Sequence, residues 1–427
     1  MGEDENVRSR ALRAIASLAA LALLLAACAP DEEEVDPEPV DEEPADEEPA
    51  DDPDDDVDEA DEPEEATGEP IEFAAVVDQT GSNAVLGELQ EAAMEMAVDD
   101  VNEAGGVMGR PLELIFEDAG DEASTGVAAT QRALGRDPVA ILGHQYSFQV
   151  FPLLDVIEDA QVPFLHGAQT LELDLDKDGN EWMYRVRTND ELSAQSLVEL
   201  ATEELGAERP AIHHGTDPVS VGFREQAEAL LEQAGLDPVV IESHDLGDTD
   251  MTAQIRSIVA EEPDVVFVQT FVSESATIAR QHEELGLDAP VLWGPATLFA
   301  VDFELIEAEL LDGDYMSLDA VPEHSDDPVE VEWAERFRSE YDLSPSEIAS
   351  SWYGAVLMLA DGIERAGTTD PEPLRDALAE ADVSEFNGVP LPGFELSCDE
   401  RRNCYNKREL VQIVDGQIEP VLTYEAQ

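Results

Sequence analysis

From residue 71 onward, short apolar runs alternate with longer stretches of helical periodicity. Residues 71–77 (IEFAAVV) form an apolar run that ends in the polar loop Asp78-Gln79-Thr80-Gly81. Residues 86–104 follow, with Leu89, Ala93, Met96, Ala97 and Val101 on one stripe, the spacing of an amphipathic helix. The same pattern predicts strands at 112–116, 139–142, 163–165, 211–213, 239–241, 265–268 and 291–293. Between them it predicts helices at 125–134, 150–160, 193–205, 222–234, 252–260 and 275–285. Strict β/α alternation builds parallel sheets covered by helices on both faces. There are too many units for one tidy sheet, so the pattern predicts an α/β protein of two doubly wound parallel-sheet lobes joined by a hinge. A closed barrel is the competing architecture. From Asp327 the pattern turns to helices (329–341, 346–366, 372–381) and ends in an antiparallel hairpin, 410–414 and 418–424, about Asp415-Gly416. Such an irregular ending argues against the barrel.

The first 70 residues follow different rules. Arg8, Arg10 and Arg13 precede an unbroken apolar run at 14–27 (AIASLAALALLLAA). As a helix it rises about 21 Å, short of the roughly 30 Å of a bilayer core. A positive flank, a short apolar stretch and small residues before a break read as a secretory signal peptide over 1–27. The break, Leu25-Ala26-Ala27-Cys28, resembles a bacterial lipobox, in which the cysteine is lipidated and becomes the first mature residue. An ordinary signal sequence with an incidental cysteine is the alternative. Residues 31–67 carry 23 acidic residues, six prolines and no basic residue. With no apolar face and strong self-repulsion, such a segment cannot offset its ordering entropy. Residues 28–70 are therefore expected to be a lipid anchor and a disordered acidic leash, with a reach on the order of 120 Å. Cation capture is the alternative to a solvated spacer.

Composition narrows the function. The chain has 102 Asp+Glu against 21 Lys+Arg, a formal net charge of −81. It repels nucleic acid and anionic head groups, which excludes polyanion binding. Hydrophobic residues at 43% support packed cores. Strong salt screens the self-repulsion of such a surface. No G-x-S-x-G, P-loop or H-E-x-x-H is present, so neither a metal nor another cofactor is expected. Cys398 and Cys404 flank residues 399–403 in the exported part and are expected to form a local disulfide. A metal site is the alternative, and it lacks a neighbouring histidine. His213 and His214 read as polar loop histidines at a strand end.

In doubly wound sheets, ligands sit beyond the carboxyl ends of the strands. Three loops occupy that position: Gly143-His144-Gln145-Tyr146-Ser147, His166-Gly167-Ala168-Gln169-Thr170, and the stretch from Gln79 to Leu86. Pro152 requires a helix to begin close to Gln149, where its missing N–H is harmless. Ser147 is then either an anion-facing hydroxyl beside a helix N-terminus or a plain capping hydroxyl.

Residues 97–118 (AVDDVNEAGGVMGRPLELIFED) resemble the leucine/isoleucine/valine-binding-protein family, type I periplasmic binding proteins that serve ABC importers. They are similar to its helix, then N-x-x-G-G-[IV]-x-G-[RK], then strand and acidic turn. Gly105, Gly106 and Gly109 end the helix and turn the chain. They follow a helix and precede a strand, the reverse of a dinucleotide fingerprint. Further similar segments are Val139-Ala140-Ile141-Leu142-Gly143-His144, Val162-Pro163-Phe164, Gly294-Pro295 and Leu391-Pro392-Gly393-Phe394, so the resemblance spans 71–427.

The resemblance implies the type I periplasmic-binding-protein fold, with 71–188 plus 320–390 as lobe 1 and 189–319 plus 391–427 as lobe 2. It implies an exported, lipid-anchored monomer on the outer face of the cell membrane. Such a protein would be no enzyme, and its partners would be a small polar solute and the membrane subunits of an ABC permease. In the family, the first lobe holds the ligand carboxylate with a serine at a helix start and an Ala-x-Thr pair, which match Ser147 and Ala168-Gln169-Thr170. Gln79 and Tyr146 join them from the same loops. The cleft-walling positions are Leu86, Val221 and Phe271, of which only Phe271 is aromatic. Amino-acid binders place an acidic residue after Gly-Pro to receive the α-ammonium, and here that position is Ala296. A buried ammonium without an acceptor is expensive. Either Asp78, Glu274 or Gln269 takes that part, or the ligand is a carboxylate, amide or urea-like solute. Two other functions remain open, a ligand-sensing ectodomain of the same fold and an exported α/β hydrolase-type enzyme.

Overall fold

The computed structural model describes residues 66–427 apart from 82, 295–296, 298–304, 394, 406 and 426–427. The signal peptide, Cys28, nearly all of the acidic leash and Ala296 lie outside the described residues.

Two parallel sheets wound in the same order form the frame. The first comprises β1 (Ile71–Val77), β2 (Leu112–Asp118), β3 (Ile141–Gly143), β4 (Phe164–His166) and β5 (Met183–Arg185). Its order is β2-β1-β3-β4-β5, parallel throughout. The second comprises β6 (Pro210–Gly215), β7 (Val240–His244), β8 (Val265–Gln269), β9 (Val291–Trp293) and β10 (Tyr315–Leu318). These run β7-β6-β8-β9-β10, again parallel. An antiparallel hairpin, β11 (Lys407–Val414) and β12 (Gln417–Glu425), extends the sheet beyond β10. The expected pair of doubly wound lobes is present, and the barrel is not. Two strands escape the apolar-run criterion: β5 reads MYR and β10 reads YMSL, each too short and too polar in sequence to register. Both are the last strand before the chain crosses between lobes.

The helices, in chain order, are α1 (Ala84–Glu103), α2 (Ala123–Leu134), α3 (Ser147–Val150), α4 (Leu154–Ala160), α5 (Asp190–Glu199), α6 (Pro218–Gln233), α7 (Thr252–Ala260), α8 (Val272–Leu285), α9 (Pro328–Tyr341), α10 (Glu347–Ala366) and α11 (Pro371–Ala379). Side chains alternate across each sheet as the strand period requires. Phe73, Ala75 and Val77 of β1 join the core of α1 and α10, while Ala74 and Val76 join the opposite core with α2. In the second lobe Val266 and Val268 face α7 and α8, and Val265 and Phe267 face α5 and α6. Helix α10 buries 16 of its 20 residues, as a helix that is apolar on most sides must. Gly362 lets α11 pack onto it, since a Cβ there would come within 2.7 Å of Leu378.

Three details depart from the sequence pattern. His213 and His214 lie on β6 and are buried, not in a loop. Burial holds the His213 imidazole well below its usual pKa, and its Nε2 shares a 3.3 Å contact with His244 Nδ1. The end of the expected leash is docked: Thr67 N and Gly68 N donate to the Gly109 carbonyl, and Arg110 Nε donates to the Glu69 carbonyl at 2.7 Å. Finally, Leu391, Leu396, Cys404 and Tyr405 pack into the first-lobe core, so the chain enters the second sheet only with β11.

The lobes are stitched where the chain passes between them. Arg187, just beyond β5, donates to Asp319 at 2.8 Å and to Glu347 at 2.6 Å. Asp319, just beyond β10, also receives Arg408 of β11 and the Thr188 hydroxyl, and its amide donates to Glu347 at 2.6 Å. Arg408 further donates to the Ser317 and Thr188 hydroxyls at 2.9 and 2.6 Å. All four charged groups are buried. On the outer edge of the second sheet, β12 carries Pro420 opposite a register shift between Leu410 and Val411.

Candidate functional site

The strand order reverses between β1 and β3, and the loops after β1, β3 and β4 meet beyond that point, where a doubly wound sheet offers room for a ligand. Each loop is held by its own side chains. After β1, Asp118 accepts the amides of Gln79 and Thr80 and the Thr80 hydroxyl, the last at 2.6 Å. Gly87 lets α1 pass within contact of the Asp78 carbonyl, where a Cβ would come to 2.1 Å. Asp78 itself is buried and accepts from Gln149 Nε2 at 2.7 Å. Desolvation lifts its carboxyl to about 6, with Asp121 and Asp118 adding to the rise.

After β3, His144 adopts a left-handed backbone conformation (φ 57°), unusual for a non-glycine residue. Its Nε2 is bonded to Thr130 Oγ1 at 2.8 Å, and burial pushes its pKa down to about 4, so it is neutral. Gln145 Oε1 accepts from Gln90 Nε2 at 3.1 Å and from Trp352 Nε1 at 3.0 Å. With the loop pinned on both sides, Tyr146 takes the cap position and α3 begins at Ser147, two residues before Gln149. α3 has only four residues and gives way to a 3-10 turn that carries Pro152. So short a helix contributes little dipole, and the anion-binding case falls on individual donors. The Tyr146 ring stacks on Phe148 at 5.7 Å, and Phe148 is 46% exposed.

After β4, the Thr170 amide donates to Ser147 Oγ at 3.4 Å, which leaves the serine O–H free to donate elsewhere. Arg185 fixes the backbone behind: its Nε donates to the Ala168 carbonyl and its Nη2 to the Thr170 carbonyl, both at 2.6 Å. Ala168 is wholly buried, with its methyl in the core.

The sequence pattern offers no signal for the next residue. Asp190 reads as one acid in the first turn of a helix. In the fold it is 5% exposed, its amide donates to the Gln169 carbonyl at 3.0 Å, and among the described residues its carboxylate receives no hydrogen bond. Its Oδ2 lies 3.8 Å from where a Cβ on Gly222 would sit, beside Val221. Burial raises its pKa to about 7, Arg185 pulls the other way, and Asp217 adds to the rise. Among the described residues of the same lobe, Ser193 Oγ, one turn along α5, and Gln269 Oε1, at the end of β8, are buried without partners, as are ring nitrogens of His213 and His282.

The remaining sequence candidates divide. Phe271 is half-buried at the cap position of α8, and the adjacent Val272 packs against the cores of both lobes. Gln79 is turned away, its side-chain amide bonded to Glu91 on α1. Leu86 is buried in the first-lobe core. Glu274 is occupied by the Gly247 amide at 2.7 Å and the Ser273 hydroxyl at 2.8 Å, which leaves it poorly placed to receive a ligand cation. Cys398 and Cys404 are joined by a disulfide. Among the described residues, no group of three or more His, Cys, Asp or Glu could hold a metal ion. Among the described residues, the bonded partner of Ser147 Oγ is an amide and no base is hydrogen-bonded to it. Chemically, the site offers donors for an anionic group and one uncompensated carboxylate, an arrangement suited to holding a polar molecule.

Comparison with known proteins bears on the family and the fold. Residues 70–415 match the family model described as periplasmic binding protein. The chain is 26% identical over 337 residues to a leucine-, isoleucine-, valine-, threonine- and alanine-binding protein of Pseudomonas aeruginosa, covering 79% of this chain and 87% of the relative. Its fold is similar to that of the branched-chain amino acid transporter substrate-binding protein LivJ of Streptococcus pneumoniae, solved with isoleucine. That match has a TM-score of 0.72 at 20% identity, over 83% of this chain and 99% of that one. It is equally similar to a solute-binding protein of an ABC transporter from Rhodopseudomonas palustris, solved with 3,4-dihydroxybenzoic acid. Here the TM-score is 0.72 at 16% identity, over 84% and 98% of the two chains.

Proposed function

The chain belongs to the periplasmic binding protein family, and from that premise we propose that it captures a small amino acid between its lobes and delivers it to an ABC permease. The observation that carries this is the pairing of a donor set with a bare carboxylate. The Ser147 hydroxyl and the Thr170 amide lie together at the ends of β3 and β4, while Asp190, tied to the same loop through Gln169, has no donor of its own. A zwitterion complements both. Its carboxylate takes the Ser147 O–H, whose oxygen the Thr170 N–H already holds, together with the Thr170 hydroxyl, and its ammonium takes Asp190 in place of the acid that Ala296 does not supply. Hydrogen bonds to a charged partner contribute about 1.5–3 kcal/mol each. Contacts from both lobes to one solute favour the closed form.

A second ligand class has its own support. The Tyr146–Phe148 stack leaves an apolar ring in water next to Ser147, and a flat carboxylic acid would cover it. A thermal-shift series over branched-chain and other amino acids, aromatic acids, amides and urea separates the two. Ser147→Ala combined with Thr170→Ala is expected to weaken the best solute by ~100-fold or more in calorimetric titration. Unchanged affinity in that variant would put the cleft elsewhere.

Export and tethering complete the proposal. Cys28 would carry the lipid, and residues 31–67 would hold the binding lobes away from the membrane. Two acyl chains anchor stably where one does not. Mass spectrometry of the mature N-terminus would find a diacylated cysteine, and an unmodified Cys28 would remove the anchor from the scheme.

A further inference from the structure

The disulfide loop near the C-terminus lies directly behind the candidate ligand loop. Between Cys398 and Cys404, Asp399 gathers the chain onto itself: its carboxylate accepts the Arg401 amide at 2.8 Å and the Asn403 amide at 2.9 Å. Its own amide donates to the Asn403 carbonyl at 2.9 Å. The folded loop then adds one parallel rung to the end of β5. The Arg185 amide donates to the Arg402 carbonyl at 2.9 Å, and the Cys404 amide donates to the Arg185 carbonyl at 2.8 Å.

The side chains complete the link. Arg185 is 2% exposed. One edge of its guanidinium meets the Asn403 side chain and the Asp174 carboxylate, the latter at 2.6 Å. Its other donors hold the Ala168 and Thr170 carbonyls. A guanidinium presents its donors in one rigid plane. Two carbonyls fixed in that plane fix the peptide groups between them, and with them the direction of the Thr170 amide toward Ser147. Asn403 braces the plane from behind and is itself braced by the stapled loop. A staple serving only local stability would need none of these bonds to a loop more than 200 residues away in sequence.

We infer that the disulfide-closed loop Cys398–Cys404 is a positioning element for the ligand loop, acting through Asn403 and Arg185 to hold Ala168 and Thr170 in their binding geometry. For solute binding this rests on the assignment of Ser147 and Thr170 to the ligand. The link to the loop itself does not.

Hydrogen–deuterium exchange of the purified protein without added solute tests the link directly. In Cys398→Ala combined with Cys404→Ala, and separately in Asn403→Ala with the disulfide intact, the peptide covering residues 166–174 is expected to exchange about tenfold faster. Peptides from β8 and α10 should keep their wild-type rates. Asn403→Gln keeps both an acceptor for Arg185 and a donor for the Asp174 and Asp399 carboxylates, and should exchange more slowly at 166–174 than Asn403→Ala. Wild-type exchange at 166–174 in both the double cysteine variant and Asn403→Ala overturns the inference. So does a uniform acceleration across every peptide, which means global destabilisation only. If the cysteine variant does not fold, Asn403→Ala and Asn403→Gln decide alone. Titration of the solute that gives the largest thermal shift should then show about tenfold weaker binding in Asn403→Ala. The Ser147/Thr170 double variant tests the ligand assignment by binding, and the exchange rates test the brace, so each can fail without the other.

Discussion

The hinge and the candidate site both take charged groups out of water, and they do so in opposite ways. At the hinge, Arg187 and Arg408 face Asp319 and Glu347, with Thr188 and Ser317 filling the remaining positions. Two arginines face two carboxyl groups there, and each is hydrogen-bonded. At the candidate site, Asp190 has nearby arginines but, among the described residues, no hydrogen-bond donor, and Ser193 Oγ and Gln269 Oε1 are left without partners in the same lobe. Buried ionic groups that are complete hold a shape and offer nothing to a newcomer. Incomplete ones carry a desolvation cost that a molecule of matching polarity relieves. The contrast separates architecture from recognition within one polar layer.

Breaking the complete side should have the largest effect. Asp319→Ala strands buried Arg408 and leaves Arg187 with Glu347 alone, and it is expected to lower unfolding free energy by about 3–5 kcal/mol in urea titration. A loss below 1 kcal/mol would mean that the hinge pairs are not the buried unit described here.

Asp190→Asn should trade function for stability. The Asp190 carboxyl titrates at about 7 in the fold against 3.8 for the free group. The native state therefore holds more protons than the unfolded state between those values, and this residue's contribution to stability falls as pH rises through the window. The asparagine variant is expected to melt a few degrees higher than wild type at pH 8 and equally at pH 4. It should bind amino acids ~10- to 100-fold more weakly. A variant with lower melting temperature at pH 8 would show that the carboxylate is compensated after all.

The pH dependence of wild-type affinity sharpens the same point. If an ammonium seats on ionised Asp190, affinity should fall by about tenfold per pH unit as acid protonates that group below its pKa near 7. For a plain carboxylic acid the profile should be flat or reversed. Calorimetry at pH 7, 6 and 5 distinguishes the two ligand classes. The smallest expected change comes from Gln269→Leu, which removes an orphan amide. It should leave stability within about 1 kcal/mol, because replacing an unpartnered polar group by an apolar one of similar size is nearly neutral.

The frame of the molecule is legible in the chain because parallel strands buried on both faces read as bare apolar runs, such as IEFAAVV and VVFVQ. The strands that fail to read, MYR and YMSL, sit beside the polar crossings, where Arg185 and Asp319 interrupt the hydrophobic signal. Ser147 and Thr170 come to attention through loop position and family resemblance. Asp190 does not, because an acid at the start of a helix has an ordinary explanation in its favourable place beside the dipole. Only the missing hydrogen bonds set it apart, and those are properties of three-dimensional packing. Arg185 is hidden for the converse reason: Asn403 lies 218 positions from it along the chain and Asp174 11 positions, and no spacing rule connects them.

A last consequence concerns crowding. A sheet that ends in an open strand invites a neighbour to extend it, the more so where copies are concentrated. Here the outermost strand has Pro420 in place of one N–H donor, and the ladder slips register opposite it. An incoming strand would find its row of partners interrupted at the middle. The same proline that shapes the hairpin therefore discourages copies of this chain from zipping together edge to edge.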